Sequence, residues 1–333
     1  MRAFVLSRYG GADATSLQEI PVREPQSGEV RIRVRAAGLN PVDFKLREGK
    51  LKLVSPLSLP LAIGSELSGT VEAIGSGVTR FAVGDDVFAR VAKDKLGAFA
   101  EQACVSEDLV ARKPARLDFV QAAAVPLASL TAFQALHDEL GLAKGQRIYI
   151  PGGAGGVGTF AIQLAKHFGA SVTTSASSRG KELVERLGAD LVVDYREKDF
   201  ARDLRGYDCA FDLVGGDTLA GAFEVVRSGG RVVSIAGLPE PTTATKDLGR
   251  GVALATLFWF ASLGIRLRAR RHGVSYRYLF MRPDGAQLGE IARLVDAKVL
   301  DVVVDRVFPF AEIGDAFAYL EQGRAKGKVV VEM

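Results

Sequence analysis

At 333 residues the chain exceeds the length at which a single hydrophobic core usually stops growing, so two domains are expected. Hydrophobic residues at 48% and charged residues at 25% are ordinary globular proportions and exclude disordered, collagen-like and coiled-coil chains. The net charge of +4 comes from 43 basic against 39 acidic residues scattered along the chain, which leaves no polybasic footprint for nucleic acid.

From residue 1 to about 120 the pattern has period two. Val30, Ile32 and Val34 alternate with Arg31, Arg33 and Arg35, and turns follow at Gly75-Ser76-Gly77 and Gly84-Asp85-Asp86. Short strands with glycine punctuation predict a compact, barrel-like β domain. One helix interrupts it at Asn40-Pro41-Val42-Asp43-Phe44-Lys45, where Asn40 suits the cap, Pro41 the first helical position and Asp43 the positive end of the dipole. Cys104 and Cys209 each lie in an apolar strand-like run and read as buried thiols in a reducing compartment, with cytoplasm the default. The N-terminal stretch starts a strand and lacks the apolar core of a signal peptide.

After about residue 120 strands and helices alternate. An alanine-rich helix is expected over 120–137, then strand 147–150 and the turn Gly152-Gly153-Ala154-Gly155-Gly156-Val157-Gly158. Gly153, Gly155 and Gly158 have the GxGxxG spacing of a dinucleotide-binding turn, and the helix that follows offers free N–H groups to phosphates. Further strands at 171–176, 191–193, 209–214 and 231–236, with helices at 181–187 and 218–226, make a doubly wound parallel sheet of the Rossmann kind. An acid would hold the ribose hydroxyls of NAD at the end of the second strand; the chain instead has Ser177-Ser178-Arg179-Gly180-Lys181, whose hydroxyl and cations suit the 2′-phosphate of NADP. Gly215, Ala236 and Gly237 follow later strands at the carboxyl edge, where such a sheet presents its ligand crevice.

Several spaced motifs, Ala37 to Asp43, Gly64 to Gly69, Gly84 to Phe88, Pro126 to Ala132, the glycine turn and Gly323 to Val330, resemble the zinc-independent quinone and enone reductase branch of the medium-chain dehydrogenase/reductase superfamily, to which zeta-crystallin belongs. The resemblance implies a GroES-like β-rich catalytic domain over 1–121 and 283–333 and a Rossmann NADP-binding domain over 122–282. It also implies homodimerisation through the last Rossmann strand, near Tyr276 to Met281. Asn40 and Ser65 stand where the zinc members carry a cysteine and a histidine, and the four close cysteines of their structural zinc lobe are missing. His137, His167 and His272 have no ligand spacing, so no metal is expected.

Hydride transfer from NADPH to a quinone, or to the β-carbon of an α,β-unsaturated carbonyl, is the activity that this resemblance implies. Lys45 stands where relatives carry a lysine or tyrosine facing the substrate; the alternative is a solvated helix lysine. Asn40 and Thr131 resemble contacts to the nicotinamide end, Tyr195 a residue stacked near the 2′-phosphate, and Arg324, in the last motif, a further cofactor contact. A zinc-free alcohol or aldehyde oxidoreductase, and an NADPH-binding sensor or structural protein without useful turnover, are the alternative functions. The segment 252–265, VALATLFWFASLGI, followed by a basic run over 266–272, is too short to span a bilayer. It reads as a buried or dimer-contact helix or a pocket lid, ahead of a helix lying on a membrane surface.

Overall fold

The computed structural model describes residues 1–196 and 200–333 and divides the chain into two compact units, Met1–Leu130 with Pro283–Met333, and Thr131–Arg282. The first unit runs β1 (Arg2–Leu6), β2 (Thr15–Glu19), β3 (Glu29–Leu39), α1 (Pro41–Arg47), β4 (Leu61–Ala62), β5 (Glu66–Ile74), β6 (Asp86–Arg90), β7 (Gln102–Ser106), β8 (Val110–Arg112) and α2 (Phe119–Ala123). Helix α3 (Pro126–Phe133) leads into the second unit: β9 (Arg147–Pro151), α4 (Gly156–His167), β10 (Ser171–Ser175), α5 (Ser178–Arg186), β11 (Leu191–Val193), α6 (Phe200–Asp203), β12 (Tyr207–Asp212), α7 (Gly216–Val225), β13 (Val226–Ser234), α8 (Val252–Ala261), α9 (Leu263–Arg271) and β14 (Ser275–Tyr278). Helix α10 (Gly285–Asp296), β15 (Val304–Pro309), α11 (Ile313–Glu321) and β16 (Lys328–Glu332) complete the first unit.

The first unit is built on β3. Its arginine–aliphatic alternation buries Val30, Ile32 and Val34 and leaves Arg33 and Arg35 exposed, as a half-covered strand requires. Beyond Ala36 both faces are buried, because α2 packs over this end of the sheet, with Ala123 and Ala124 in one cluster with Ala36 and Val330. A mainly antiparallel sheet in the order β15-β16-β3-β5-β6-β8, with β7 also on β3, packs over a core that includes Ile32, Leu39, Leu67, Phe99 and Phe317.

The second unit carries a parallel sheet in the order β11-β10-β9-β12-β13-β14. The order reverses between β9 and β12, which is the switch point where such sheets open a crevice at their carboxyl ends. Helix α4 lies against β9 and β10 through Phe160, Ala161, Leu164 and Ala165, all buried.

Three local expectations are corrected. The helix expected over 120–137 is broken: α2 stops at Ala123 and α3 starts afresh at Pro126, since proline has no N–H to donate and biases the residue before it away from helical geometry. Cys104 is only half-buried, because β7 pairs with β3 off the main strand path of its sheet, whereas Cys209 on the central strand β12 is buried; both are free thiols. The 252–265 segment is not a buried helix: α8 buries only Phe258, and Val252, Leu257, Trp259 and Phe260 are exposed at 79%, 48%, 41% and 65%.

Candidate functional site

The glycine turn forms because β9 ends in Pro151 and the chain must reverse at once into α4. Gly152 supplies the left-handed backbone (φ +78°) that this reversal needs. The turn is fastened to the next strand, with the Gly152 N–H donating to Ser175 Oγ at 3.3 Å and the Gly153 N–H to the Ser175 carbonyl at 3.2 Å. The glycines differ in what demands them. A Cβ on Gly153 would lie 2.1 Å from Thr174 Oγ1, and one on Gly158 2.5 Å from the Gly152 carbonyl oxygen, so both are glycine because strand, turn and helix approach so closely. A Cβ on Gly155 would meet only the Gly152 oxygen, at 3.4 Å, which the protein tolerates. Gly155 caps α4, whose first-turn N–H groups have no intrahelical acceptor and carry the positive end of the helix dipole. Gly155, Gly156 and Val157 are partly exposed at this helix start, where backbone N–H groups suit a pyrophosphate, and in this way the residues present fit a dinucleotide.

Around that turn lie other residues expected from the sequence. Ser177 caps α5, and Arg179 and Lys181 are exposed on its first turn. A Cβ on Gly180 would come within 2.9 Å of the Ala154 Cβ, so this first turn packs directly against the glycine turn. Tyr195, 55% exposed, follows β11, the strand beside β10, so it leaves the sheet at the same edge as Ser177; the Arg196 guanidinium stands 5.8 Å from its ring. Lys181 reaches Glu185 only at 3.9 Å, a weak helical pair that leaves its ammonium available. Thr131 is buried on α3.

At the carboxyl ends of β12 and β13 a device not anticipated from the sequence shapes the loops holding Gly215, Ala236 and Gly237. Buried Asp212 accepts from the Val214 N–H (3.2 Å), the Gly215 N–H (3.0 Å) and Ser234 Oγ (2.6 Å). Ser234 Oγ in turn accepts from the Ala236 and Gly237 N–H groups at 3.1 and 2.8 Å. Burial pushes the Asp212 carboxyl above its ordinary range, against the pull of these donors. Gly215 (φ +82°) is forced, since its Cβ would lie 2.5 Å from the Ala236 carbonyl oxygen. An Asp closing one strand and a Ser closing the next, each followed by glycine within three residues, is the signal that could have revealed the pair.

In the first unit the carboxyl end of β3 meets a buried polar cluster. Asn40 is the N-cap of α1 and forms a capping box with Asp43. In that box Asp43 reaches back, accepting from the Asn40 N–H at 2.8 Å. The Asn40 carboxamide is also committed elsewhere: Nδ2 donates to Glu66 Oε1 at 2.7 Å, and Oδ1 accepts from the Lys328 ammonium. Lys328 also donates to Glu66 Oε1 at 2.6 Å and to the Leu39 carbonyl at 3.0 Å, while Glu66 Oε2 accepts from the Leu127 N–H at 2.6 Å. Gly38 makes room for the Glu66 carboxylate, since its Cβ would lie 2.5 Å from Oε1.

Beside this cluster Ser65 Oγ donates to Asp43 Oδ1 at 2.5 Å. Burial raises the Asp43 carboxyl to about 6 and lowers the Arg90 guanidinium to about 10, with the charges of Asp43 and Glu66 opposing the shift in Arg90. Lys328, at 3% exposure, was legible only as part of a terminal motif; nothing local in the sequence says that β16 carries it beside β3. Lys45 is not brought to this cluster. It is exposed on α1, whose other face buries Asp43, Leu46 and Arg47. Arg324 is exposed ahead of β16.

A concavity of about 400 Å³ in the first unit, lined by Met1, Ile20, Arg31, Leu96 and Cys104 among others, includes none of these candidate residues. Among the described residues no group of three or more His, Cys, Asp or Glu side chains stands where it could hold a metal ion.

Comparison with known proteins gives concordant matches over the whole chain. Residues 26–115 match the alcohol dehydrogenase GroES-like domain and residues 187–331 the zinc-binding dehydrogenase family. The chain is 38% identical to the NADPH-dependent alkenal/one oxidoreductase, chloroplastic, of Arabidopsis thaliana, covering 99% of this chain and 79% of that protein. It is 35% identical to the mitochondrial NAD(P)H oxidoreductase RTN4IP1 of Danio rerio, covering 100% of this chain and 91% of the relative. Among solved structures, the quinone oxidoreductase from Coxiella burnetii superposes with a TM-score of 0.86 at 30% identity, covering 100% of this chain and 99% of that one.

Proposed function

The chain belongs to the zinc-independent quinone and enone oxidoreductase branch of the medium-chain dehydrogenase/reductase superfamily, and from that membership we propose that it is an NADPH-dependent reductase of quinones or α,β-unsaturated carbonyls. The observation that carries the reading is the glycine turn: Gly155 is open on its outer side at the N-terminus of α4, beside a first turn of α5 that bears Arg179 and Lys181. The named activities of the Arabidopsis and Coxiella proteins support the acceptor class.

In this reading the N–H groups at the start of α4 bind the pyrophosphate, and Ser177, Arg179 and Lys181 bind the 2′-phosphate with Tyr195 against the adenosine end. The Asp212–Ser234 pair holds the loops of Gly215, Ala236 and Gly237 at the height from which backbone approaches the ligand. Bound NADPH supplies the hydride. The protein's part is positioning and the stabilisation of negative charge gathering on the acceptor oxygen, for which the Lys45 ammonium is the proposed donor, with solvent the source of the proton. Asn40 acts as a positioning residue: pinned by Lys328 and Glu66, it fixes the start of the helix that carries Lys45. Thr131 and Arg324 remain proposed cofactor contacts.

A homodimer through β14 is proposed with this function, because β14 is the edge of the six-stranded sheet and offers a row of backbone groups for pairing. Cytoplasm is the proposed compartment, resting on two free thiols; the relatives cited above are mitochondrial and chloroplastic.

The test is NADPH oxidation against a panel of quinones, enones and aldehydes, run with the wild type and Lys45→Ala. Turnover of quinones or enones, reduced at least tenfold in kcat by the substitution, is expected. Turnover confined to aldehydes would favour the alcohol/aldehyde alternative, and NADPH binding without turnover of any acceptor would favour a binding protein.

A further inference from the structure

We propose that α8 and α9 form a docking surface for an anionic lipid bilayer, with α8 lying in the interface and the arginines of α9 on the headgroups. Helix α8, VALATLFWFA, has no charged residue, yet it buries only Phe258; it rests on the 243–247 turn and on α9. An apolar helix exposed to this extent is not accounted for by the core of its own unit. The chain bends by 60° between α8 and α9, and Phe258, Ser262 and Ala269 are buried at the bend and below it, so the pair is fixed while its apolar side chains point outward.

Three further features select a lipid surface. Both hydroxyls of α8 and the bend are satisfied within the helix: Thr256 Oγ1 donates to the Val252 carbonyl at 3.0 Å and Ser262 Oγ to the Phe258 carbonyl at 2.6 Å. The apolar stretch therefore offers no unmet side-chain donor to a low-dielectric medium. No acidic residue lies between Asp247 and Asp284, whereas Arg250, Arg266, Arg268, Arg270 and Arg271 flank or follow α8. Arg268 meets Glu224 only at 3.5 Å, and Arg270 and Arg271 are exposed. Trp259 packs edge-on against Phe260, with their centroids 4.9 Å apart and the Arg266 guanidinium 5.6 Å from the Trp259 ring, an aromatic–cation arrangement suited to the boundary between acyl chains and headgroups. A second copy seated by the same face would bring further arginines and no acidic residue from the 248–283 stretch to meet them, whereas anionic headgroups complement them. No single helix among the described residues is long and apolar enough to cross a bilayer; the bent pair α8–α9 reaches that length only together, and the four arginines of α9 place its second half on headgroups rather than among acyl chains.

Trp259 is the only tryptophan in the chain and reports on its own surroundings. The full-length protein is titrated with phosphatidylcholine vesicles, with and without phosphatidylserine, following Trp259 emission, iodide quenching and co-sedimentation. Expected are a blue shift, protection from iodide and pelleting with the anionic vesicles only, weakened by salt. Leu257→Ser with Phe260→Ser should abolish them, and Arg270→Gln with Arg271→Gln should weaken binding roughly fivefold per arginine. Circular dichroism and NADPH titration, the latter independent of turnover, verify that each variant is folded.

Absence of pelleting, pelleting without a Trp259 response, or equal binding to neutral vesicles would overturn the proposal. So would a concentration-dependent Trp259 shift in the absence of lipid that Phe260→Ser removes, because the face would then be a contact between copies.

Discussion

Lys328→Met tests whether the buried cluster at the end of β3 holds the first unit together. Lys328 is 3% exposed, Glu66 is fully buried, and the ammonium lies 2.6 Å from Glu66 Oε1 while also reaching the Leu39 carbonyl and Asn40 Oδ1. Methionine fills the space of the aliphatic stem but removes the one cation bonded to Glu66 among the described residues. The carboxylate keeps the Asn40 and Leu127 N–H donors and remains a buried charge with no bonded counter-ion, the Arg90 guanidinium acting on it only at a distance. Breaking a buried pair from one side costs ~3–5 kcal/mol, most of it the stranded charge rather than the lost attraction. Urea unfolding followed by far-UV circular dichroism should therefore show a fall of that size. The companion variant Lys328→Met with Glu66→Gln removes the stranded charge, so it should recover at least ~1 kcal/mol relative to the sum of the two single losses. A loss below ~1 kcal/mol for Lys328→Met, or strict additivity in the double variant, would refute the reasoning.

Gly155→Ala should leave the melting temperature within a degree or two of wild type and weaken NADPH at least tenfold by isothermal titration, because the added methyl meets no closer protein atom than the Gly152 oxygen at 3.4 Å but occupies the phosphate space. Gly153→Ala, with a Cβ 2.1 Å from Thr174 Oγ1, should instead destabilise the fold outright, which thermal denaturation would show. Arg179→Ala with Lys181→Ala should weaken NADPH by tenfold or more and leave NADH nearly unchanged, since only NADPH carries the additional phosphate; equal losses in titrations of both nucleotides would remove the specificity assignment.

Asp43→Asn addresses pH. The folded-state carboxyl titrates near 6 against 3.8 in the unfolded chain, so the native state binds the extra proton between these values. The Asp43 contribution to stability is therefore full below about pH 4 and falls by about 3 kcal/mol as pH rises through 6. Asn keeps an acceptor for the Asn40 N–H and titrates nowhere. The difference in urea midpoint between wild type and variant should thus change across pH 4 to 7; a constant difference would place the titration elsewhere.

Much of this molecule was written in local pattern. The arginine–aliphatic alternation of β3, the βα rhythm after residue 140 and the GxGxxG spacing each follow from strand and helix periodicity and from glycine's freedom, which neighbouring residues impose without help from distant ones. Pro126 broke a helix that composition alone had drawn as continuous, a steric fact present in the sequence but outweighed there by the alanines around it.

Other features required residues far apart in the chain to meet. Asn40 looked like a helix cap because its neighbours allow it. It is the cap, in a box with Asp43, but only the return of β16 beside β3 brings Lys328 to its Oδ1, and Glu66 arrives from β5. The Asp212–Ser234 clasp likewise depends on β12 and β13 lying side by side. The sequence by itself determined the class of fold, the glycine turn between β9 and α4 and the presence of cations at the start of α5, because each is a short-range pattern. Tertiary structure alone decided which polar side chains are consumed in holding the site, that Lys45 faces solvent, and that the apolar 252–261 helix is exposed, because burial and pairing depend on what the rest of the chain places against each residue.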